Sequence, residues 1–197
     1  MNRPGEALQR KVDDLTPGFW RWALARLSGR SLEVDSWRTG LAGEQRVGAE
    51  LEKLARRDWR VLHSIPLPGD VDIDHVLIGP SGAFCFNTKC HRRARIWVGD
   101  DSVRIGNQSY PHVRKSRTEA RRASVALTRA CGFPVDVQPV LVFVAVAQLT
   151  VAPSLQDVRV LRERDVTMFR HITAGWTSDK IELVYAAARD RQTWVRS

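Results

Sequence analysis

Two polar side chains, Asn87 and Lys89, stand two residues apart in FCFNTKCH (84–91), a run otherwise apolar and β-forming. Strand side chains alternate, so both point to one face. Upstream, DVDIDHV (70–76) sets Asp72 and Asp74 on one face of a second apolar run and His75 on the other. Strand interiors disfavour Asp, so these acids need a reason to be there. A third acid, Glu44, falls at the centre of the apolar side of a helical pattern, among Val47, Gly48, Leu51 and Ala55. A carboxylate in that stripe is costly unless something pairs with it. Each segment alone has a plainer reading: a first-turn helix acid, a strand end reaching solvent, a polar pair on an edge strand. Taken together, carboxylate and amide oxygens beside an ammonium suit a hard divalent cation and a phosphate ester.

Several elements must bring these residues together. LAGEQRVGAELEKLARRD (41–58) has helical periodicity, and the main domain is expected to open at Gly40. WRVLHSI (59–65), VDIDHVLIG (71–79) and AFCFNTKC (83–90) read as strands. The GPSG turn (79–82) makes a hairpin of the last two. Short strands are expected at RIWVG (95–99) and SVRIG (102–106), and a long helix from His112 to Cys131. The continuous apolar run VQPVLVFVAVA (137–147) reads as a strand buried on both faces. VRVL (158–161) suggests one more strand, and 165–195 two helices. Before Gly40, the aromatic GFWRWALARL (18–27) is helix-prone and is expected to dock on the main domain, the alternative being contact with a membrane or a protein partner, with SGRSLEVDSW (28–37) as a linker. This order implies an α/β sandwich with a mixed sheet.

The charge balance narrows the partner. The chain of 197 residues carries a formal charge of +9. From Lys89 to Arg129, eleven Lys and Arg face only Asp100, Asp101 and Glu119, a local excess of +8. Such a patch suits a polyanion, nucleic acid ahead of a membrane surface. In HVRKSRTEARRASVALTRA (112–130), Arg114, Arg117 and Arg121 form one helical row. Lys115, Arg122 and Arg129 form a second, and Val113, Ala120, Ala123 and Leu127 face the core. Arg92 and Arg93 extend the basic surface beside Lys89. Phosphates are the natural partners of these rows, and nothing here reads bases. Three cysteines without a CxxC pattern point to a reduced, cytoplasmic setting. Cys90-His91 has no second pair at a finger-like spacing. No apolar run is long enough to span a membrane.

GLAGE (40–44), LPGDVDIDHVLIGPSGAFCFNTK (67–89) and PVLVFV (139–144) together resemble the nuclease-related domain family, NERD, whose fold is of the PD-(D/E)xK nuclease type. The resemblance runs from about Gly40 to Val146, and its IDH…GPSG…TK core is its most specific part. It implies a restriction-endonuclease-like α/β/α sandwich with a central mixed sheet, plus helical additions at both ends. The division expected is 1–38 as an N-terminal extension, 39–149 as the nuclease-related domain and 150–197 as a strand and helices packed on it. The resemblance implies roles for Glu44, Asp74 and Lys89, and places Asn87 where an acidic residue is usual. On this reading Asp74, Asn87, the Thr88 carbonyl and Glu44 ligate Mg²⁺ or Mn²⁺, and Lys89 stabilises charge on the phosphorane. Asn87 in place of a carboxylate removes one negative charge, so weaker metal binding is expected. The activity implied is hydrolysis of phosphodiesters in nucleic acid, DNA before RNA. The alternatives are a binding module of the same fold without catalysis, and an interaction protein docking through residues 18–27.

Overall fold

The computed structural model describes residues 4, 31–55, 58–69, 71–172 and 175–195, with side chains from Arg38 onward in the first helix. Segment 18–27 lies outside the described residues, so its expected helix is not part of this description. Helix α1 (Ser31–Glu52) leads into β1 (Arg60–Leu67), β2 (Val71–Gly79) and β3 (Gly82–Cys90). Then come β4 (Arg95–Val98), β5 (Val103–Ile105), β6 (Gln108–Tyr110) and α2 (His112–Cys131). After them follow β7 (Val137–Val144), β8 (Gln148–Val151), β9 (Arg159–Arg162) and α3 (Ser178–Arg189). The main sheet has the order β1-β2-β3-β7-β9, and a second sheet the order β6-β5-β4-β8. The first three strands of the main sheet are antiparallel, while β3, β7 and β9 are parallel. This is the expected sandwich around a mixed sheet.

Alternation along β2, β3 and β7 sends apolar side chains to both faces, and each face has its own helices. Val47, Leu51 and Leu54 of α1 pack with Phe84, Phe86, Val140, Val142 and Phe169. On the other face, Ala120, Ala123 and Leu127 of α2 and Val184 of α3 pack with Val76, Ile78, Ala83 and Cys85. Burying these side chains contributes roughly 1.5–3 kcal/mol for each large one.

Two boundaries differ from the sequence reading. Residues 31–37, expected within a linker, are helical. SLEVDSW contains no proline to stop a helix, and the glycines after it do not end α1 because they allow it to approach the sheet. A Cβ at Gly43 would sit 3.0 Å from Cβ of Cys90 and 3.6 Å from Cγ2 of Thr88, and one at Gly48 would sit 3.4 Å from Cε1 of His75. In the tail, the first expected helix is a 3-10 segment, Glu163–His171. β6 and β8 were not foreseen, because three- and four-residue strands leave almost no periodicity to read.

The parallel pair β3–β7 continues into the second sheet as the parallel pair β4–β8. Both connections turn at one level, where Arg93 and Ala145 adopt left-handed backbone with φ of 57° and 59°. The Arg93 N–H donates to the Ala145 carbonyl at 2.8 Å, and the Ala145 N–H donates to Glu163 Oε2 at 2.9 Å. These bonds hold two strained residues against each other at the C-terminal end of β3.

The hairpin base gives a test of packing. A Cβ at Gly79 would lie 2.2 Å from the Trp59 ring, which is itself buried edge-on against Phe169 at 5.9 Å. Gly79→Ala should lower stability by about 1–3 kcal/mol, read as a reduced urea midpoint at unchanged slope.

Candidate functional site

The site begins where β2 parts from β3. The register would set Asp74 opposite Ser64 on one side and Asn87 on the other, and neither pair forms. Ser64 has φ of 50°, and the β2–β3 ladder ends at His75 and Phe86. Into the gap goes the Asp74 carboxylate, whose Oδ2 accepts the Thr88 N–H at 2.5 Å. A side chain thus replaces a ladder bond, which satisfies the backbone and anchors the acid at the parting of two strands.

From β3, Asn87 and Lys89 project toward α2, as alternation requires. Asn87 is 4% exposed, and its Nδ2 donates at 2.5 Å to Oε2 of Glu119, which is 8% exposed. The Asn87 Oδ1 is buried with no partner among the described residues. Lys89 Nζ donates to the Thr88 carbonyl at 2.9 Å. Burial, with Asp74 nearby, pushes Glu119 up to about 7, against the Asn87 hydrogen bond and the charges of Lys89 and Lys115. Burial also raises Asp74, opposed first by Lys89 and then by the Thr88 N–H. The Cys85 thiol is pushed up by burial and by both acids. Two carboxylates, an orphan amide oxygen and one ammonium therefore share a seam between β3 and α2.

Sequence reasoning brought Asp74, Asn87, Thr88 and Lys89 to this place and missed Glu119. Glu44 lies on α1, which covers the opposite face of the sheet, with its backbone beside the His75 ring. Its neighbour Gly43 meets Thr88 and Cys90 at the end of β3. His75 belongs to that same far face. Its Nδ1 lies 2.8 Å from Nδ1 of His63, whose Nε2 is 2.8 Å from Oε1 of Glu52. Because a carboxylate only accepts, His63 donates from Nε2 and accepts at Nδ1 from His75. Burial lowers the pKa of both rings, which keeps them neutral. The chain of bonds ties α1 to β1 and β2 one residue from Asp74.

The basic rows of α2 divide. Arg114, Lys115 and Arg121 are exposed, as are Arg92 and Arg93 beside the site. Arg117 instead bridges Asp157, at 2.6 and 2.8 Å, and Asp101, at 2.9 Å. Arg122 donates to the Pro68 carbonyl at 2.9 Å. These two guanidinium groups are engaged within the protein, which sequence spacing on one helix could not reveal.

The nuclease-related domain family model matches residues 39–144, more than half of the chain. The chain belongs to that family. No curated protein and no solved structure matches it. Among the described residues no helix is long and apolar enough to cross a membrane.

Glu119 gives a pH signature. Its folded-state pKa of about 7 exceeds the ordinary 4.5, so the folded protein holds this proton more tightly than the unfolded chain. The resulting stabilisation is complete below the ordinary value and is lost as pH rises through about 7. The facing groups are Asp74, Asn87, Lys89 and Lys115, and Cys85 stays protonated throughout. In metal-free protein the contribution of Glu119 alone is about 3 kcal/mol. The histidines whose pKa values burial lowers act in the opposite sense. The test is therefore the stability difference between wild type and Glu119→Gln, which should shrink by most of that amount in denaturant unfolding from pH 5 to 8.

Proposed function

We propose that this chain is a divalent-metal-dependent nuclease acting on phosphodiester bonds, with its centre in the β3–α2 seam. The observation that carries the reading is the set of half-buried Asp74 with buried Asn87 and Glu119 beside Lys89, the Asn87 Oδ1 being without a partner among the described residues. Among the described residues no three His, Cys, Asp or Glu side chains converge for a metal. Two carboxylates, an amide oxygen and the Thr88 carbonyl nevertheless fit Mg²⁺ or Mn²⁺. Mg²⁺ is commonly held by one or two carboxylates, its other positions going to water and phosphate oxygen. Burial raises the proton affinity of both acids against the single ammonium of Lys89. A cation held there would supply Lewis-acid polarisation of the phosphodiester.

The chain's own groups have separable tasks. Asp74 and Glu119 approach from opposite sides, one fixed by the Thr88 N–H and the other by Asn87 Nδ2. Asn87 positions Glu119 with its N–H and offers its oxygen inward. Lys89 places a positive charge where an equatorial phosphate oxygen gains charge in the transition state. Arg92, Arg93, Arg114, Lys115 and Arg121 would steer and hold the backbone on the surface around the seam, without reading sequence. The nuclease unit on this reading is residues 39–149, with 150–197 completing both faces of the sandwich. Glu44 would act from α1, across β3 from the seam.

Calorimetric titration with Mg²⁺ and Mn²⁺, beside cleavage of end-labelled DNA and RNA, tests this. Asp74→Asn and Glu119→Gln should each weaken metal binding by about 10-fold or more and lower cleavage by about 100-fold or more. Lys89→Ala should cut cleavage similarly yet leave metal affinity nearly unchanged. A wild-type protein that binds nucleic acid but takes up neither metal would overturn the proposal in favour of a binding module.

A further inference from the structure

The seam does not end at Lys89. Beyond it, β3 runs out through His91, while α2 carries Glu119, Ser116 and His112 along one stripe at spacings of three and four. The two rows face each other from the Asn87–Glu119 bond at one end to the His91–His112 ring contact, 6.1 Å between centroids, at the other. Lys89, between Asn87 and His91 along the same strand, bears on Asp74 and Glu119 at one end and on His91 and His112 at the other. Tyr110, half-buried at the end of β6, lies flat on His112 with centroids 5.2 Å apart and planes 9° from parallel.

Buried polar atoms without partners gather along these rows. Among the described residues they include Asn87 Oδ1, Ser116 Oγ and both ring nitrogens of His112. Asn87 and Ser116 are 4% and 0% exposed, and polar atoms so deeply buried call for a partner that the described residues do not supply. The chemistry changes along the seam. At one end it offers oxygen donors and an ammonium. At the other it offers stacked aromatic planes, and a neutral imidazole with one donor and one acceptor. Burial and the Lys89 charge lower His112 to about 3, so the ring stays neutral at ordinary pH.

We infer that the seam seats one unpaired nucleotide, with its phosphate beside Lys89 and its base on the Tyr110–His112 stack. This deepens the nuclease reading and rests on it only for the phosphate end. A base within a duplex has both faces covered by its neighbours and its edge taken by its partner. Only a single strand or a frayed end presents a face to Tyr110. The proposal therefore assigns single-stranded nucleic acid, or an unpaired end, as the substrate class, with intact duplex excluded from the seam.

The test measures binding by the full chain in EDTA, so that it does not depend on cleavage. The probes are a 12-nucleotide single strand with one 2-aminopurine, as DNA and as RNA, and the blunt duplex of the same sequence. Wild type should bind one or both single strands at least about 10-fold tighter than the duplex and shift the 2-aminopurine fluorescence on binding. Tyr110→Leu, which keeps bulk without a π-face, should weaken single-strand binding by about 5- to 100-fold and leave duplex binding unchanged, while Tyr110→Trp restores it. Equal affinity for single strand and duplex, or an equal loss for both in Tyr110→Leu, would overturn the inference. Melting curves on each variant confirm that the fold is intact. Loss of this preference with cleavage preserved would refute the stacking site alone. Stacking without cleavage in added Mg²⁺ or Mn²⁺ would refute the nuclease reading alone.

Discussion

Two carboxylates confined in one buried seam set the terms for the rest of this structure. Asp74 and Glu119 repel each other where little water screens them, and burial alone would drive both toward the protonated form. Each is held by one strong donor, the Thr88 N–H and the Asn87 amide. The ammonium of Lys89 opposes both shifts. Such an arrangement survives only if the surrounding scaffold fixes it, because relaxation by a single rotamer would separate the acids. The scaffold does so by parting β2 from β3 at Asp74 while β3 stays paired with β7 through Cys90. One strand thus keeps its ladder on one side and gives up its N–H to a carboxylate on the other.

The far face supplies the rigidity. Phe84, Phe86 and Phe169 pack with ring centroids of 4.8 and 5.5 Å, beneath Val47 and Leu51 of α1. The Glu52–His63–His75 chain pins α1 to the hairpin beside Asp74. At the C-terminal end of β3, the paired left-handed turns at Arg93 and Ala145 carry β3 and β7 together into the second sheet. Tyr110, at the end of β6, stacks on His112 in the first turn of α2 and bounds the outer end of the seam.

Much of this was legible in the sequence, and the reason is locality. Asp74, Asn87 and Lys89 sit on two strands joined by a four-residue turn, so alternation and register fix their common face without knowledge of the rest. The helix of Glu44 was equally readable as amphipathic, but periodicity says which side of a helix is buried and not which face of the sheet receives it. Glu119 was passed over because the Arg rows around it dominate α2. Yet it is the one acid in that helix and lies in the apolar stripe with Ser116 and Ala123. The argument that singled out Glu44 applies to it with equal force. Arg117 and Arg122 were read as phosphate ligands from spacing alone, whereas their partners, Asp157 and Pro68, lie in connections distant in sequence.

The Asn87–Glu119 pair also changes the meaning of the amide. Considered within β3, Asn87 subtracts a negative charge from the place where a carboxylate is usual in the family it resembles, and a weaker metal site follows. Considered across the seam, the charge is restored from the helix side, since Glu119 Oε2 meets Asn87 Nδ2 at hydrogen-bond distance. An aspartate at position 87 would instead face Glu119 as a third acid, with no N–H to hold it. An asparagine can satisfy Glu119 with its donor and still present an oxygen inward, because its two functional ends point in different directions. The strand residue and the helix residue are therefore complementary. Given a carboxylate at 119, an amide is the group at 87 that leaves the buried charge count at two.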